Sequence, residues 1–117
     1  MIAVIFEVEP AEGHLEPYLD IAAGLKPLLE QVEGFISVER FQSLSDPDKV
    51  LSLSFFRDED AVRAWRNREN HRAAQEQGRG GVFSDYRLRI AEVSRDYGLR
   101  DRAQAPADSR SVHDDSA

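Results

Sequence analysis

The sequence predicts one α+β domain with a ferredoxin-like β-α-β-β-α-β order and an antiparallel sheet. Two kinds of periodicity carry this prediction. Four segments are continuously apolar or alternate with period two, which indicates strands, and two segments repeat apolar residues at steps of three and four, which indicates helices. Their order along the chain is that of the split βαβ motif. The 117 residues also suit a single domain.

The first half of the domain begins with residues 2–8, IAVIFEV, whose nearly continuous apolar run indicates a strand buried on both faces. An amphipathic helix is predicted over residues 14–32, with Pro27 expected to kink it because proline lacks a backbone donor. Glu33-Gly34 is a typical helix stop. We therefore expect the next element to begin at Phe35.

A hairpin is predicted next, with strands over residues 35–42 and 50–56 and a turn-rich connection, SLSDPD, between them. The second strand of this pair has a clear period of two. Its alternating residues are Leu51, Ser52, Leu53, Ser54 and Phe55. One face of that strand is therefore apolar and the other carries hydroxyls.

The second helix is predicted to begin after Asp58, a good N-cap, and to end near residue 77 before a glycine-rich stretch. The last strand, over about residues 82–93, alternates so that Tyr86 is expected to point inward. Beyond residue 98 the chain has few large apolar residues and is predicted to be a mobile tail. The predicted domain is 1–98 and the tail 99–117.

The composition narrows the classes of function. Fifteen basic and 22 acidic residues give a net charge of −7, which disfavours nucleic-acid and anionic-membrane partners. The absence of cysteine excludes disulfides and thiolate sites, and the histidines lack metal-ligand spacing. The chain has no apolar segment long enough for a membrane span and no basic leader, so a cytoplasmic location is expected.

Several segments resemble the antibiotic-biosynthesis-monooxygenase (ABM) family. Residues 34–41, GFISVERF, are similar to a "G-F-x-x-x-x-x-F" strand of that family, and residues 54–61 followed by Trp65 resemble its strand-to-helix joint. The segments 71–79 and 86–98 are similar to one bacterial branch. The resemblance covers about residues 1–98 and is more specific for fold than for reaction.

The resemblance implies a homodimer in which two four-stranded sheets face each other, with a pocket in each protomer between helices and sheet. Family members oxidise polyphenols, anthrone-like polyketides or quinols without metal or flavin. The IsdG-type branch degrades haem, which would then be a substrate rather than a cofactor. That branch uses an Asn on the first strand, where this chain has Phe6, Glu7 and Val8, and a His where it has Ala74 and Gln75.

The candidate catalytic residues are polar groups on and after the second helix. Asn67, His71 and Gln75 share one helix face at steps of four. His71 is a candidate base for a phenolic proton, because imidazole titrates near neutral pH. Arg79 or Asn67 would stabilise the resulting anion, and Gln75 would contact the substrate. The alternatives are that His71 orders the helix end and that Arg79 caps the helix C-terminus.

The candidate walls of the substrate site are Trp65, Phe83 and Tyr86, and Tyr18 on the first helix is a candidate to contribute a hydroxyl to the same cavity. A planar substrate would stack on such rings. The alternative is that Trp65 anchors the core and that Phe83 and Tyr86 belong to the core or to a dimer interface, since aromatic side chains dominate core energetics.

Three functions follow from these residues. The first is a cofactor-independent monooxygenase that oxidises a small electron-rich aromatic molecule, a quinol or polyphenol, with O2. The second is haem breakdown, and the third is a dimeric ligand-binding or stress protein without turnover. An enzyme with a mostly apolar pocket is the favoured hypothesis. The observation that distinguishes it from a binding protein is whether the helix face of Asn67, His71 and Gln75 lines a closed cavity.

Overall fold

The elements follow the order predicted from the sequence. The computed structural model describes residues 1–76 and 81–113, with the backbone alone for 69–76 and 113. The elements are β1 (Ile2–Pro10), α1 (Leu15–Glu30), β2 (Phe35–Gln42), β3 (Val50–Phe56), α2 (Glu59–Glu76), β4 (Phe83–Glu92) and α3 (Ala107–His113). The β-α-β-β-α-β order is confirmed.

The four strands form one antiparallel sheet in the order β2-β3-β1-β4. In β1 and β3, Ile2 pairs with Phe56 and Val8 pairs with Val50. Because paired residues place their side chains on the same face, these four residues define the helix-facing side of the sheet. The ferredoxin-like fold class predicted from the sequence is therefore confirmed.

The helix-facing side holds two separate apolar clusters. The first, called the Phe56 cluster, consists of Ile2, Leu29, Val32, Phe56, Ala61 and Val62. The second, called the Val8 cluster, consists of Val8, Tyr18, Ala22 and Val50. Helix α1 contributes to both clusters, whereas α2 contributes to the first. On the helix-facing side of the sheet, the positions between the two clusters are occupied by residues that belong to neither cluster.

Strand β3 supplies hydroxyls to this middle region. The alternation predicted for β3 is confirmed, but its buried half includes Ser52 and Ser54, while Leu51, Leu53 and Phe55 are only partly buried. The serines share a face with Val50 and Phe56. The apolar half therefore lies on the other side of the sheet, called here the open face.

Gly34 joins α1 to β2 in a conformation that other residues rarely adopt. Its φ is 91°, and a Cβ there would lie 2.9 Å from the Cβ of Ala61. Its carbonyl also accepts a 2.7 Å hydrogen bond from the backbone N–H of Arg57. The helix stop predicted at this position therefore also sets how closely the loop approaches α2.

The N-terminus of α2 is capped as the sequence predicts. Oδ1 of Asp58 accepts a 2.9 Å hydrogen bond from the backbone N–H of Ala61, and Arg57 Nε donates to Oδ2 at 3.1 Å. The hydrogen bond from Ala61 and then the Arg57 guanidinium hold the pKa of the Asp58 carboxyl below its usual value. Arg68 on the same helix donates to the Leu28 carbonyl at 3.0 Å, which ties α2 to the end of α1.

Two features differ from the sequence analysis. Tyr86 lies on the helix-facing side, since it pairs with Val8, yet it is exposed, as is the whole of β4. Neither helix covers this edge strand as it covers β1 and β3. The helix α3 was also missed within the region predicted to be a mobile tail. Arg110 stabilises it by donating to the carbonyls of Ala105 and Arg102, at 3.0 and 2.7 Å.

Within the described ranges, no helix has both the length and the apolar character needed to cross a membrane.

Candidate functional site

Four aromatic rings meet on the helix-facing side, beside the edge strand. Phe6 lies 5.6 Å from Tyr86 and 6.0 Å from Phe83, measured between ring centroids. Tyr18 lies 5.7 Å from Phe83, and Phe83 lies 6.3 Å from Tyr86. The angles between ring planes, 60° to 75°, are those of edge-to-face contacts. Phe6, Tyr18, Phe83 and Tyr86 are called the aromatic cluster.

An irregularity in the strand pairing brings Phe83 and Tyr86 to the same face. Residues three apart in a regular strand point to opposite sides of the sheet. Here the pairing of β1 with β4 shifts between Glu9 and Pro10, so that Pro10 pairs with Phe83 rather than with Ser84. The Ser84 hydroxyl donates to the Glu9 carbonyl at 2.9 Å at this point. The bulge therefore assembles the cluster.

The aromatic cluster is buried at one end and open at the other. Tyr18 on α1 is buried, whereas Phe83 and Tyr86 are 43% and 59% exposed. Phe6 is half-buried between them. Exposed aromatic surface next to a buried ring can accept another planar apolar group. Two of the three predicted wall residues, Phe83 and Tyr86, are therefore brought together, and Tyr18 lies beside them.

Trp65, the third predicted wall residue, lies elsewhere. It is half-buried and packs against the Phe56 cluster. Val4 and Val38 pack against the same cluster, and both pair with Ser54 in the sheet. Ser52 and Ser54 therefore lie between Trp65 and the aromatic cluster. Trp65 contributes to the core.

The structure describes only part of the polar helix face predicted to line the site, which consists of Asn67, His71 and Gln75. Asn67 on α2 is exposed. For His71 and Gln75 the structure gives the helical backbone alone, and Arg79 lies outside the described residues. Their roles as base, substrate contact and anion stabiliser stay predictions.

One charged residue on the same side of the sheet, Arg40, was not predicted from the sequence. It pairs with Ser52, which in turn pairs with Phe6, so Arg40 belongs to the helix-facing side. Its Nε is buried and has no hydrogen-bond acceptor among the described residues. Arg40 lies two positions after Val38, so the two side chains point to the same side of the sheet. That relationship predicts the burial of Arg40 only when it is known which side of the strand is buried.

The open face carries a different charge cluster. Arg89 Nη1 donates to Glu7 Oε2 at 3.0 Å, and Lys49 Nζ lies 3.9 Å from the same oxygen. The hydrogen bond from Arg89 and the charge of Lys49 lower the pKa of the Glu7 carboxyl. These cations are thus paired on the side opposite the aromatic cluster.

A cleft of about 450 Å³ lies past the Pro10 end of β1. Its carboxylates are Glu9, Glu12, Asp46 and Asp48. This lining is acidic, in contrast to the mostly apolar pocket that the sequence analysis expected, and it would repel an anionic molecule. Among the side chains that the structure describes, those of residues 1–68 and 81–112, no group of His, Asp or Glu has an arrangement that could hold a metal ion.

Comparisons with known proteins agree with this fold. A family model described as "Antibiotic biosynthesis monooxygenase" matches residues 1–77. The jasmonate monooxygenase ABM of Pyricularia oryzae is 48% identical over 94 residues, which are 80% of this chain and 44% of that protein. The chain therefore spans less than half the length of this relative.

Two further proteins are similar. YqjZ, an uncharacterised protein of Bacillus subtilis, is 32% identical over 94 residues, which are 80% of this chain and 79% of YqjZ. The crystal structure of a putative antibiotic biosynthesis monooxygenase from Deinococcus radiodurans superposes with a TM-score of 0.72 at 12% identity. The superposition covers 85% of this chain and 98% of that one. At such identity the superposition supports the fold alone.

Proposed function

Since the chain belongs to the antibiotic biosynthesis monooxygenase family, we propose that it is a monooxygenase that oxidises a small electron-rich aromatic molecule, a quinol or polyphenol. The observation that carries this proposal is the aromatic cluster, whose exposed rings Phe83 and Tyr86 lie on the helix-facing side of the sheet. A planar substrate would pack against these rings and leave its reacting edge towards α2.

The proposed chemistry needs no external electrons. An ionised phenol can pass an electron to O2, so the protein has to bind, deprotonate and shield it. Conversion of a phenol to a quinone consumes one O2: one oxygen atom becomes the new carbonyl and the other leaves as water. The two hydrogens of that water come from the ring carbon and the hydroxyl. His71 is the proposed base, and Asn67 or Arg79 is proposed to stabilise the anion.

A second substrate class is a jasmonate-like molecule, favoured by the 48% identity with the jasmonate monooxygenase. Hydroxylation of a saturated carbon by O2 requires two further electrons, because the second oxygen atom must also be reduced to water. This reaction therefore needs an added reductant, whereas quinol oxidation does not. The two substrate classes can be distinguished by that requirement.

Haem breakdown and binding without turnover are the remaining alternatives. Against haem breakdown, the first-strand position used by that branch has no Asn equivalent: Phe6 belongs to the aromatic cluster, Glu7 pairs with Arg89 on the open face, and Val8 is fully buried. Binding without turnover would use the same aromatic surface and would give no oxygen uptake.

We further propose that two copies of the chain pair through the open face. This face carries partly buried or exposed apolar side chains on three strands, namely Ile5, Leu51, Leu53, Phe55 and Phe41. A sheet with an apolar outer face requires a partner layer. Analytical ultracentrifugation would give a dimer mass, and Leu53→Glu would give a monomer. The cytoplasmic location stays a prediction.

The direct test of the activity is oxygen uptake. The purified protein is added to a panel of quinols and phenols, then to jasmonate with and without NADH, in an oxygen electrode. Uptake with a quinol and no cofactor supports the proposal. Uptake only with jasmonate and NADH would select the second substrate class, and a flat trace with every compound would contradict a monooxygenase. A haemin titration followed by ascorbate tests haem breakdown on the same sample.

A further inference from the structure

Arg40 lies on the edge strand β2, on the helix-facing side of the sheet, opposite the uncharged Ser52 of β3. It pairs with Ser52, and Ser52 pairs with Phe6 of the aromatic cluster. Two strand spacings separate Arg40 from Phe6, a distance of roughly 10 Å. The side chain of Arg40 is thus on the same side of the sheet as the aromatic cluster, on which the substrate is proposed to pack.

The Nε of Arg40 is buried and lacks a hydrogen-bond acceptor in the part of the chain that the structure describes. Among the residues whose side chains the structure describes, 1–68 and 81–112, no carboxylate forms an ion pair with Arg40 either. Buried donors on charged groups are normally paired, because an unpaired one loses its hydration without compensation. A guanidinium that served only solubility would instead direct its donors into water.

The donors of Arg40 match one type of ligand. Nε–H and one Nη–H of a guanidinium form a two-pronged fork whose spacing fits the two oxygens of a carboxylate. We propose that Arg40 binds the carboxylate of the substrate while the rings of the substrate pack on the aromatic cluster. This inference rests on the proposed function and restricts it to electron-rich aromatic carboxylic acids.

The charges around the site agree with this orientation. The cleft past Pro10 carries four carboxylates and would repel an anionic end. The arginines of β4, Arg87 and Arg89, pair in the sheet with Glu7 and Ile5 and so belong to the open face. Among the described residues of the sheet, Arg40 is therefore the cation available on the helix-facing side.

The distance between Phe6 and Arg40 determines the size of a suitable test compound. A fused two-ring system with one carboxylate spans roughly the two strand spacings between Phe6 and Arg40. We use three compounds that share a naphthalene body: 2-naphthoate, its methyl ester, and 2-naphthol. The ester removes the charge and keeps the shape, and the naphthol offers one oxygen instead of two.

The experiment measures Kd for each compound by isothermal titration calorimetry with the full chain at pH 7.5. We expect 2-naphthoate to bind at least about tenfold more tightly than the ester or the naphthol, as a bidentate charged pair predicts. Arg40→Met should abolish this preference, with the affinity for 2-naphthoate falling to about that for the ester. Arg63→Met, which removes the same charge from an exposed side chain paired with Asp60, should keep the preference.

A spectroscopic measurement keeps the inference testable if Arg40→Met fails to fold. The Nε–H signals of the arginines are recorded by ¹⁵N NMR during a titration with 2-naphthoate. We expect one Nε–H signal, assigned to Arg40 by its absence from Arg40→Lys, to shift downfield. Equal binding of acid and ester by the wild-type protein, or an unshifted Arg40 signal, would overturn the inference.

The same compounds separate this inference from the proposed function. Oxygen uptake with 6-hydroxy-2-naphthoate and with its methyl ester at equal KM would support the monooxygenase and overturn the role of Arg40. A preference for the acid in binding without any oxygen uptake would support the role of Arg40 and contradict the monooxygenase.

Discussion

The ring of Tyr18 on α1 meets the ring of Phe83 at the start of β4, with centroids 5.7 Å apart and planes at 68°. Tyr18 is buried and Phe83 is 43% exposed, so the pair links the core to the surface. Because the helix and the edge strand meet through these rings, the contact defines one wall of the proposed site.

The first prediction concerns this wall. Phe83→Ala should weaken the binding of 2-naphthol by roughly two- to thirteenfold, since one aromatic contact contributes about 0.5–1.5 kcal/mol beyond its buried area. Isothermal titration calorimetry measures the affinity. Leu44→Ala is the matched control, because it removes a fully exposed apolar side chain from the β2–β3 connection. Unchanged affinity in Phe83→Ala would remove the aromatic cluster from the binding site.

The second prediction concerns Trp65. Trp65→Ala should lower the free energy of unfolding by roughly 3 kcal/mol, the low end for a core tryptophan, because the ring is only half-buried. Trp65→Phe should lower it by less. Urea unfolding followed by far-UV circular dichroism measures both variants, since Trp65 is the sole tryptophan. If Trp65→Ala unfolds at the wild-type midpoint but loses ligand affinity, the ring is a site wall instead.

The third prediction concerns Gly34. Gly34→Ala should lower the free energy of unfolding by about 1–3 kcal/mol, because alanine is strained at a φ of 91° and its Cβ would contact Ala61 at 2.9 Å. Gly24→Ala is the control. Gly24 lies inside α1 with nothing within 4 Å of an added Cβ, so alanine should stabilise the helix by about 0.5–1 kcal/mol. The same sign of change in both variants would contradict this account.

The fourth prediction concerns pH. The pKa of Asp58 is lowered from 3.8 in the folded protein, so its capping contribution is present above that pH and is lost as the pH falls through the lower folded value. Asp58→Ala should therefore melt below the wild-type temperature at pH 6, and the difference should shrink as the pH falls through the lowered folded pKa of Asp58. Calorimetry across this range measures the difference. A gap that stays constant down to pH 2 would show that capping by the ionised carboxylate is not the cause.

The order of the elements could be predicted from sequence because local periodicity determines it, and the Asp58 cap and Gly34 stop are equally local. The grouping of Phe83 with Tyr86 could not be derived from periodicity, since it depends on the bulge at Glu9–Pro10. Both residues were nevertheless predicted as wall residues. The exposure of Tyr86 depends on which strands the helices cover, which is a tertiary property.

Arg40 and α3 were missed for related reasons. The side of the sheet on which Arg40 lies is known only from its pairing with Ser52, which belongs to the buried side of β3. The helix α3 is stabilised by bonds from Arg110 to carbonyls five to eight residues earlier, rather than by an apolar stripe. Such contacts leave no periodic signal in the sequence.

The central claim is that the chain transfers one atom of O2 to an aromatic substrate without a cofactor. It is tested by incubating the protein and a reactive quinol or phenol from the oxygen panel under ¹⁸O₂, in buffer free of metals, flavins and reductants. Mass spectrometry of the product measures incorporation. The account predicts a product carrying one ¹⁸O atom, with the amount reduced in Tyr86→Ala. A product without ¹⁸O, or one formed equally without the protein, would contradict it.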